Sequence, residues 1–206
     1  MTKKLVVQIL FYGSLWGIVE ATLGYALHWI PATIAGSILF PIAGLILYKA
    51  YQETNSRLSL MYMGLVAASI KAVDFYLPQI SIYKTLNPMI SILMEALLVV
   101  LVVNLLVDPK PGRKYLALPI ASIGWRALFL AWMVAQFYLT GNQAPYIQTI
   151  GAASQFLLVS GLLSGLIGSL FVWIADHVTL RLPSLSSNWV FASLALILAI
   201  ATTVAL

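Results

Sequence analysis

Five charged side chains lie within long apolar stretches of this 206-residue chain, namely Glu20, Lys71, Asp74, Glu95 and Arg126. On insertion scales, a charge at the centre of a membrane helix costs about 2.5–3.5 kcal/mol, so such residues seldom occur there without a role. Carboxylates and cationic groups held in an apolar environment either pair with one another or bind a polar or charged solute. The five side chains therefore define a candidate site, with ion pairing and solute binding as its two alternative roles.

Helical spacing indicates how these charges are arranged. At about 100° per residue, each charge falls on the small or polar side of its own segment, which is the side expected to face other helices. Lys71 and Asp74 are three residues apart and close enough to pair, so they are the best candidates for a purely structural ion pair. Glu20, Glu95 and Arg126 then remain as the predicted contacts of a solute.

Two tryptophans accompany the charges in sequence. Trp16 and Trp125 lie next to the polar sides and could stack on a flat ring of the solute, with packing against lipid or the core as the alternative. The chain has no cysteine, and its two histidines lack the spacing of metal ligands, so we expect no metal site and no cofactor. Metalloprotease and phosphate-loop motifs are missing as well, and we expect no enzyme activity.

The composition defines the environment of these residues. Hydrophobic residues make up 62% of the chain, charged residues only 8%, and the mean hydropathy is +0.98. A soluble domain carries about a quarter charged residues, so a soluble globular protein and a nucleic-acid binder are excluded and the expected surroundings are a lipid bilayer. Long apolar runs favour helices over a β-barrel. The predicted fold is all-α, a polytopic integral membrane bundle of six to seven transmembrane helices in one domain spanning 1–206.

Seven apolar runs are separated by short polar breaks. The predicted helices cover about 5–29, 33–51, 58–77, 88–107, 116–139, 151–177 and 188–206. Asn87-Pro88 is expected to open the fourth helix, because proline favours the first turn. The last run has no flanking charge, so the count falls to six spans if that run lies on the membrane.

The basic residues indicate an orientation. Eight of them lie at one set of helix ends and in the adjoining loops: Lys3, Lys4, Lys49, Arg57, Lys110, Arg113, Lys114 and Arg181. Only Lys84 lies at the opposite ends. Because cytoplasmic loops are enriched in Lys and Arg, we expect a protein of the plasma (inner) membrane with a cytoplasmic N-terminus. The candidate site then lies in the middle and outer half of the bundle.

The chain resembles the substrate-binding S component of energy-coupling-factor (ECF) transporters, which import vitamins and metals. The resemblance covers the first half of the chain, in segments 13–25 (GSLWGIVEATLGY), 67–74 (AASIKAVD) and 87–96 (NPMISILMEA). It implies a subunit that binds a small polar substrate and transports it only with a membrane coupling subunit and ATPase subunits. It also implies that a stripe of small residues, Gly13, Gly17 and Ala21, docks on the coupling subunit. The family usually has six helices, against seven runs here.

Two other functions are open at this point. Small sugar and amino-acid carriers of the SWEET and PQ-loop type have seven helices, and Pro78-Gln79 matches their Pro-Gln dipeptide. Charges within the bundle would also suit an ion-coupled carrier of this kind. Alternatively, the five charges form a closed network in a structural or intramembrane-enzyme subunit, with no ligand.

Overall fold

The computed structural model describes residues 1–27, 32–77, 81–141, 143–178 and 185–206, without the side chains of 32–36 and 111. Within these ranges the chain forms helices joined by short connections and contains no strand, so the predicted all-α class is confirmed for the part described. The Pro78-Gln79 dipeptide and Arg181 lie outside the described residues.

Nine α-helices occur in the described ranges. They are α1 (Lys3–Ala26), α2 (Ala32–Thr54), α3 (Arg57–Lys71), α4 (Ile82–Leu106), α5 (Pro111–Lys114), α6 (Ala117–Thr140), α7 (Ile150–Ser154), α8 (Ser160–His177) and α9 (Trp189–Ala205). A 3₁₀ segment, Ala72–Tyr76, continues α3, and a π-helical segment, Gln155–Val159, joins α7 to α8. Single 3₁₀ turns occupy Pro145–Ile147 and Leu185–Ser187.

Local capping explains where several helices begin and end. The Thr2 hydroxyl accepts a hydrogen bond from the Leu5 amide at 3.3 Å, and the Asn188 side chain accepts one from the Val190 amide at 2.9 Å. Each of these side chains satisfies an amide that has no partner within its own helix. At the other end of α6, Gly141 adopts a left-handed φ of 73°, which glycine tolerates better than residues with a Cβ.

The start of α4 differs from the prediction. The helix begins at Ile82 and contains Pro88, whereas the sequence predicted that Pro88 opens it. Pro88 has no backbone N–H and so removes one hydrogen-bond donor, but it does not end the helix. The Ser91 hydroxyl donates to the Pro88 carbonyl at 2.9 Å. Glu95 consequently lies about 20 Å from the start of α4, deeper than the two turns that a start at Pro88 implies.

Six of the helices form a closed ring. Each packs on the next in the order α1, α3, α4, α6, α8 and α2, and α2 returns to α1. The last helix, α9, packs mainly against α1 and stands outside this ring. Its side chains on the outer side are apolar and exposed, as at Val190 and Ile197. The final apolar run is therefore a peripheral helix added to a six-helix core.

Five helical stretches in the described residues are long and apolar enough to cross a membrane. They are Lys3–Ala26, Arg57–Tyr76, Ile82–Leu106, Gly112–Thr140 and Ile150–His177. Large apolar side chains also cover much of the outer surface, including Leu101, Leu166 and Leu194, each more than half exposed. This pattern is typical of a protein whose surroundings are apolar.

Small residues on α1 bring it close to α3. A Cβ atom at Gly13 would lie 2.6 Å from the Val66 Cβ, and one at Gly17 would lie 2.7 Å from the Ile70 Cδ1. Ala21, on the same stripe, is buried. The stripe predicted to dock on a coupling subunit is thus occupied by the chain itself, and we do not carry that role forward.

The apolar core extends through the interior of the ring, and large aliphatic side chains fill it at one end. Leu47 near the end of α2, Leu60 near the start of α3, Leu106 at the end of α4 and Leu118 near the start of α6 are all completely buried. These helix ends adjoin the basic residues counted above, so we call this end of the bundle the basic end. The packed aliphatic side chains fill the centre of the ring on this side. A cavity of about 700 Å³, lined by Tyr12, Lys49 and Glu53 among others, lies between α1, α2 and α8 at the same end.

Polar contacts join three segments at the basic end. Lys114 Nζ lies 2.6 Å from Asp176 Oδ2, and the Tyr48 hydroxyl donates to Asp176 Oδ1 at 2.6 Å. Lys114 also donates to the Tyr48 oxygen at 2.6 Å, and Lys49 Nζ donates to the Ala175 carbonyl at 3.1 Å. Sequence reasoning did not identify this group, which links α2 and α5 to the end of α8.

We expect Asp176→Asn to lower the free energy of unfolding by about 1–3 kcal/mol, because Lys114 and Tyr48 both lose a charged acceptor. Denaturant titration in detergent micelles measures the change. Asp108→Asn is the matched control, since Asp108 lies 3.6 Å from an Arg113 side chain that is 64% exposed. An exposed pair of that kind contributes at most about 1 kcal/mol. Equal losses in the two variants would contradict this description of the basic end.

Candidate functional site

The five charges predicted from the sequence lie together in the structure. Glu20 of α1 is within electrostatic range of Lys71 and Glu95, and Glu95 of α4 is within range of Arg126 of α6. Lys71 Nζ lies 2.6 Å from Asp74 Oδ2, as the three-residue spacing predicted. We call these five residues the charge cluster. It is built by α1, α3, α4 and α6, which are consecutive helices of the ring.

Most of the charge cluster is shielded from solvent by protein. Arg126 has an exposed fraction of 0%, Glu95 of 4% and Asp74 of 5%. A charge at such a position is tolerated only when other groups compensate it, because the loss of hydration is large. The contacts of each residue therefore decide what the cluster can do.

Arg126 is held by aromatic rings and by its own helix. Its guanidinium carbon lies 4.5 Å from the ring centre of Trp125 and 5.5 Å from that of Phe156. Its Nη1 donates to the Ser122 carbonyl at 3.1 Å and to the Ser122 hydroxyl at 2.5 Å. Gly161 of α8 packs beside this part of α6, where a Cβ would lie 3.1 Å from the Ile123 Cγ1 and 3.7 Å from the Arg126 Cδ. The guanidinium is thus fixed in one orientation by cation–π contacts and hydrogen bonds.

Trp16 orients Glu20. Its indole Nε1 donates to Glu20 Oε1 at 3.1 Å, and the ring is completely buried. The ring fits beside Gly64, where a Cβ would lie 3.6 Å from the Trp16 Cζ3 and 2.6 Å from the Ala96 Cβ. Trp16 therefore packs between helices and positions a carboxylate, which corresponds to the packing alternative considered for it above.

An aromatic cluster that sequence reasoning missed surrounds Trp125. The ring centres of Tyr146 and Phe156 are 4.4 Å apart, and that of Phe156 is 6.0 Å from Trp125. Phe40 of α2 and Phe129 of α6 complete the group. Phe156 comes from the π-helical segment and Tyr146 from the 3₁₀ turn after α6.

Tyr146 lies outside the candidate spans and is half buried. Burial raises the pKa of its phenol, although the nearby Arg126 opposes the shift. The hydroxyl is consequently protonated at neutral pH and can donate a hydrogen bond. Sequence reasoning did not single out Tyr146.

Two polar atoms in this region stand out among the described residues because they are buried and have no hydrogen-bond partner there. They are Glu95 Oε2, an acceptor, and Trp125 Nε1, a donor. An unsatisfied buried group costs about 1–3 kcal/mol, so native proteins rarely retain one without a reason. One acceptor and one donor beside Arg126 can bind a solute that offers the complementary groups.

Further polar atoms of this type lie toward the end opposite the basic end. Within the described ranges, Thr85 Oγ1 and Gln136 Oε1 are also buried and lack a partner. The hydroxyls of Ser14 on α1 and Ser164 on α8, on the basic side of the cluster, are in the same situation. Gln136 is ten residues beyond Arg126 on α6, about 15 Å along the helix axis. Between these two levels, Trp132 Nε1 donates to Asn87 Oδ1 at 3.0 Å and joins α6 to α4. Polar groups thus continue from the charge cluster toward that end of the bundle.

The structure places all seven predicted substrate contacts in or directly against the charge cluster, and it places the small-residue stripe in a contact with α3. No group of three His, Asp or Glu side chains with metal-binding geometry occurs among the residues described. Comparison with family models, curated protein sequences and solved structures gives no match. The contacts of the chain's own residues therefore indicate what the site can do.

Proposed function

We propose that the protein is an integral membrane protein that binds a small polar solute at the charge cluster. The apolar helices and outer surface support a position within the bilayer. The positive-inside rule supports a cytoplasmic location for the basic end and the N-terminus. The aliphatic packing in the centre of the ring at the basic end, and the buried polar side chains of Thr85 and Gln136 toward the other end, support access from the outer side.

The main support for solute binding is the pair of buried, unpartnered polar atoms, Glu95 Oε2 and Trp125 Nε1. A closed network of ion pairs would satisfy its own donors and acceptors, because that is what stabilises buried charges. Here the described side chains leave an acceptor and a donor unused next to a fixed guanidinium. A solute with one donor and one acceptor would satisfy both.

Within this class we propose a substrate-binding subunit of an importer, of the S-component type, that acts with a coupling subunit and ATPase subunits. The six-helix ring with a peripheral α9 favours a six-helix core. A seven-helix carrier made of two three-helix repeats has its extra helix between the repeats. Here the helix outside the six-helix ring is the last one, α9. The arrangement therefore favours the binding subunit over the seven-helix carrier.

Reconstitution into liposomes separates the two functions. Proteoliposomes are incubated with the dialysable fraction of a complex growth medium, with and without a proton gradient. We then identify by mass spectrometry the molecules bound to the protein and those inside the vesicles. A binding subunit retains a molecule but accumulates none in the lumen, while accumulation driven by the gradient would establish a carrier. Retention of nothing would contradict the proposed function.

Trp125→Phe tests the contribution of the indole donor. We expect the affinity for the retained molecule to fall about tenfold, the effect of losing one hydrogen bond worth about 1.4 kcal/mol. Stability should change little, because phenylalanine keeps an aromatic ring and removes an unsatisfied N–H group. Trp173→Phe is the matched control, since Trp173 lies on α8 and is 46% exposed. Equal affinities of wild type and Trp125→Phe would remove Trp125 from the site.

A further inference from the structure

We propose that the solute is an organic cation that carries one positive charge, at least one N–H donor and one hydrogen-bond acceptor. This inference rests on the proposed function and specifies the chemical class of its substrate. It follows from the charge balance of the cluster and from the two polar atoms that the protein leaves without partners.

With every carboxyl ionised, the charge cluster holds one negative charge in excess. It contains three carboxylates, on Glu20, Asp74 and Glu95, and two cationic groups, on Lys71 and Arg126. Lys71 and Asp74 form a direct pair and neutralise each other. Arg126 is then the remaining cation, within electrostatic range of Glu95, and Glu95 is in turn within range of Glu20.

The excess charge has no evident counter-ion nearby among the described residues. Lys84 is the remaining basic residue of α4 outside the cluster, and it is exposed in the first turn of that helix. It lies eleven residues before Glu95, about 16 Å along the axis. Since an uncompensated charge is costly in an apolar interior, a cationic ligand would stabilise this site more than a neutral or anionic one.

The unpartnered atoms indicate which kind of cation fits. When Glu95 is ionised, its Oε2 is a charged acceptor and suits an N–H group that bears the positive charge. Trp125 Nε1 is a donor, so the ligand must also offer an acceptor, which a bare metal ion does not have. The rings of Phe129, Tyr146 and Phe156 next to Trp125 suit a flat or partly apolar body. These features together describe an organic molecule with a protonated nitrogen centre and a separate polar atom.

A proton is the competing way to balance the cluster. Either Glu20 or Glu95 would then be neutral, and the substrate would need no positive charge. The titratable groups around Glu95 are Glu20 on α1, Lys71 and Asp74 at the end of α3, and Arg126 on α6. The experiment below separates this outcome from cation binding.

The test uses one mixture of small solutes, separated into three pools by charge. The dialysable fraction of a complex growth medium is separated by ion exchange at pH 7 into cationic, neutral and anionic pools, and each pool is added to the full chain in detergent. We expect the cationic pool alone to raise the melting temperature, by about 5 °C at saturating ligand. A shift produced by the neutral or the anionic pool would overturn the cationic assignment while leaving the proposed function intact. A response to none of the pools would overturn both.

Matched variants assign the response to the cluster. Glu95→Gln keeps the shape of the side chain and removes its charge, so the concentration of the cationic pool that gives half the shift should rise at least about tenfold. Glu53→Gln makes the same change at the basic end and should respond like wild type. If Glu95→Gln does not fold, Glu20→Gln removes the same excess charge from another helix. An undiminished response in the folded variant would overturn the proposal.

Discussion

Replacing Arg126 by methionine is expected to lower the free energy of unfolding by about 3–5 kcal/mol, the usual effect of removing one partner from a buried charge pair. Arg126 is completely buried, and its loss leaves Glu95 facing Glu20 with no opposing guanidinium. Methionine keeps much of the side-chain volume, so the loss reports on charge and hydrogen bonding more than on a cavity. Denaturant titration in detergent micelles measures the change.

A double-mutant cycle makes this prediction specific. Adding Glu95→Gln to Arg126→Met removes the carboxylate left without a counter-charge, and we expect it to restore part of the lost stability. Arg113→Met is the control, because the Arg113 side chain is 64% exposed and its loss should change stability by less than about 1 kcal/mol. Arg126→Met with wild-type stability, or a double variant no better than the single one, would show that the two charges are not coupled.

Gly165→Ala is expected to be the most damaging change in the packing of the bundle, with a loss of at least about 3 kcal/mol. A Cβ at this position would lie 2.3 Å from the Pro119 Cα and 2.7 Å from the Pro119 nitrogen. Both are backbone atoms, so no side-chain rotation relieves the overlap, and α8 must separate from α6. The same shift would displace Gly161 and the ring of Phe156 from Arg126. Thermal unfolding in micelles gives the magnitude.

Gly24→Ala is the matched control for this change. Gly24 also lies in a long helix, but a Cβ there would have no described atom within 4 Å. Alanine in a helix is favoured over glycine by about 0.5–1 kcal/mol, so this variant should be as stable as wild type or slightly more stable. If both variants lose stability equally, helix propensity or expression, rather than contact between α6 and α8, explains the result.

The charge cluster was predictable because the physical cost of an intramembrane charge is high and the helical period is regular. Glu20, Lys71, Asp74, Glu95 and Arg126 could be assigned to the inner sides of their helices from spacing alone, and the structure brings them together. The all-helical class followed from the length of the apolar runs in the same way. Spacing along one helix contains no information on which helices are neighbours, so the order of the ring was not predictable.

Where the sequence analysis missed a residue or predicted its place differently, the cause is a local feature of the chain. Phe156 reaches Arg126 from a π-helical segment, which an apolar run of ordinary composition does not reveal. Pro88 lies within α4, although its residue type favours a helix start. The small residues Gly13 and Gly17 suggested an outer docking surface, but such a stripe serves equally well for close packing within the chain, and here α3 fills it.

The presence of a solute site at the charge cluster is tested most directly by native mass spectrometry of the gently purified protein, with wild type beside Trp125→Phe. We predict that wild type retains a small molecule after incubation with the dialysable fraction of growth medium, and that Trp125→Phe retains much less of it at equal protein stability. The accurate mass of that molecule would also show whether its composition fits an organic cation. A wild-type protein that carries only lipid and detergent under these conditions, with the same spectrum for the variant, would contradict solute binding and favour a closed network of ion pairs.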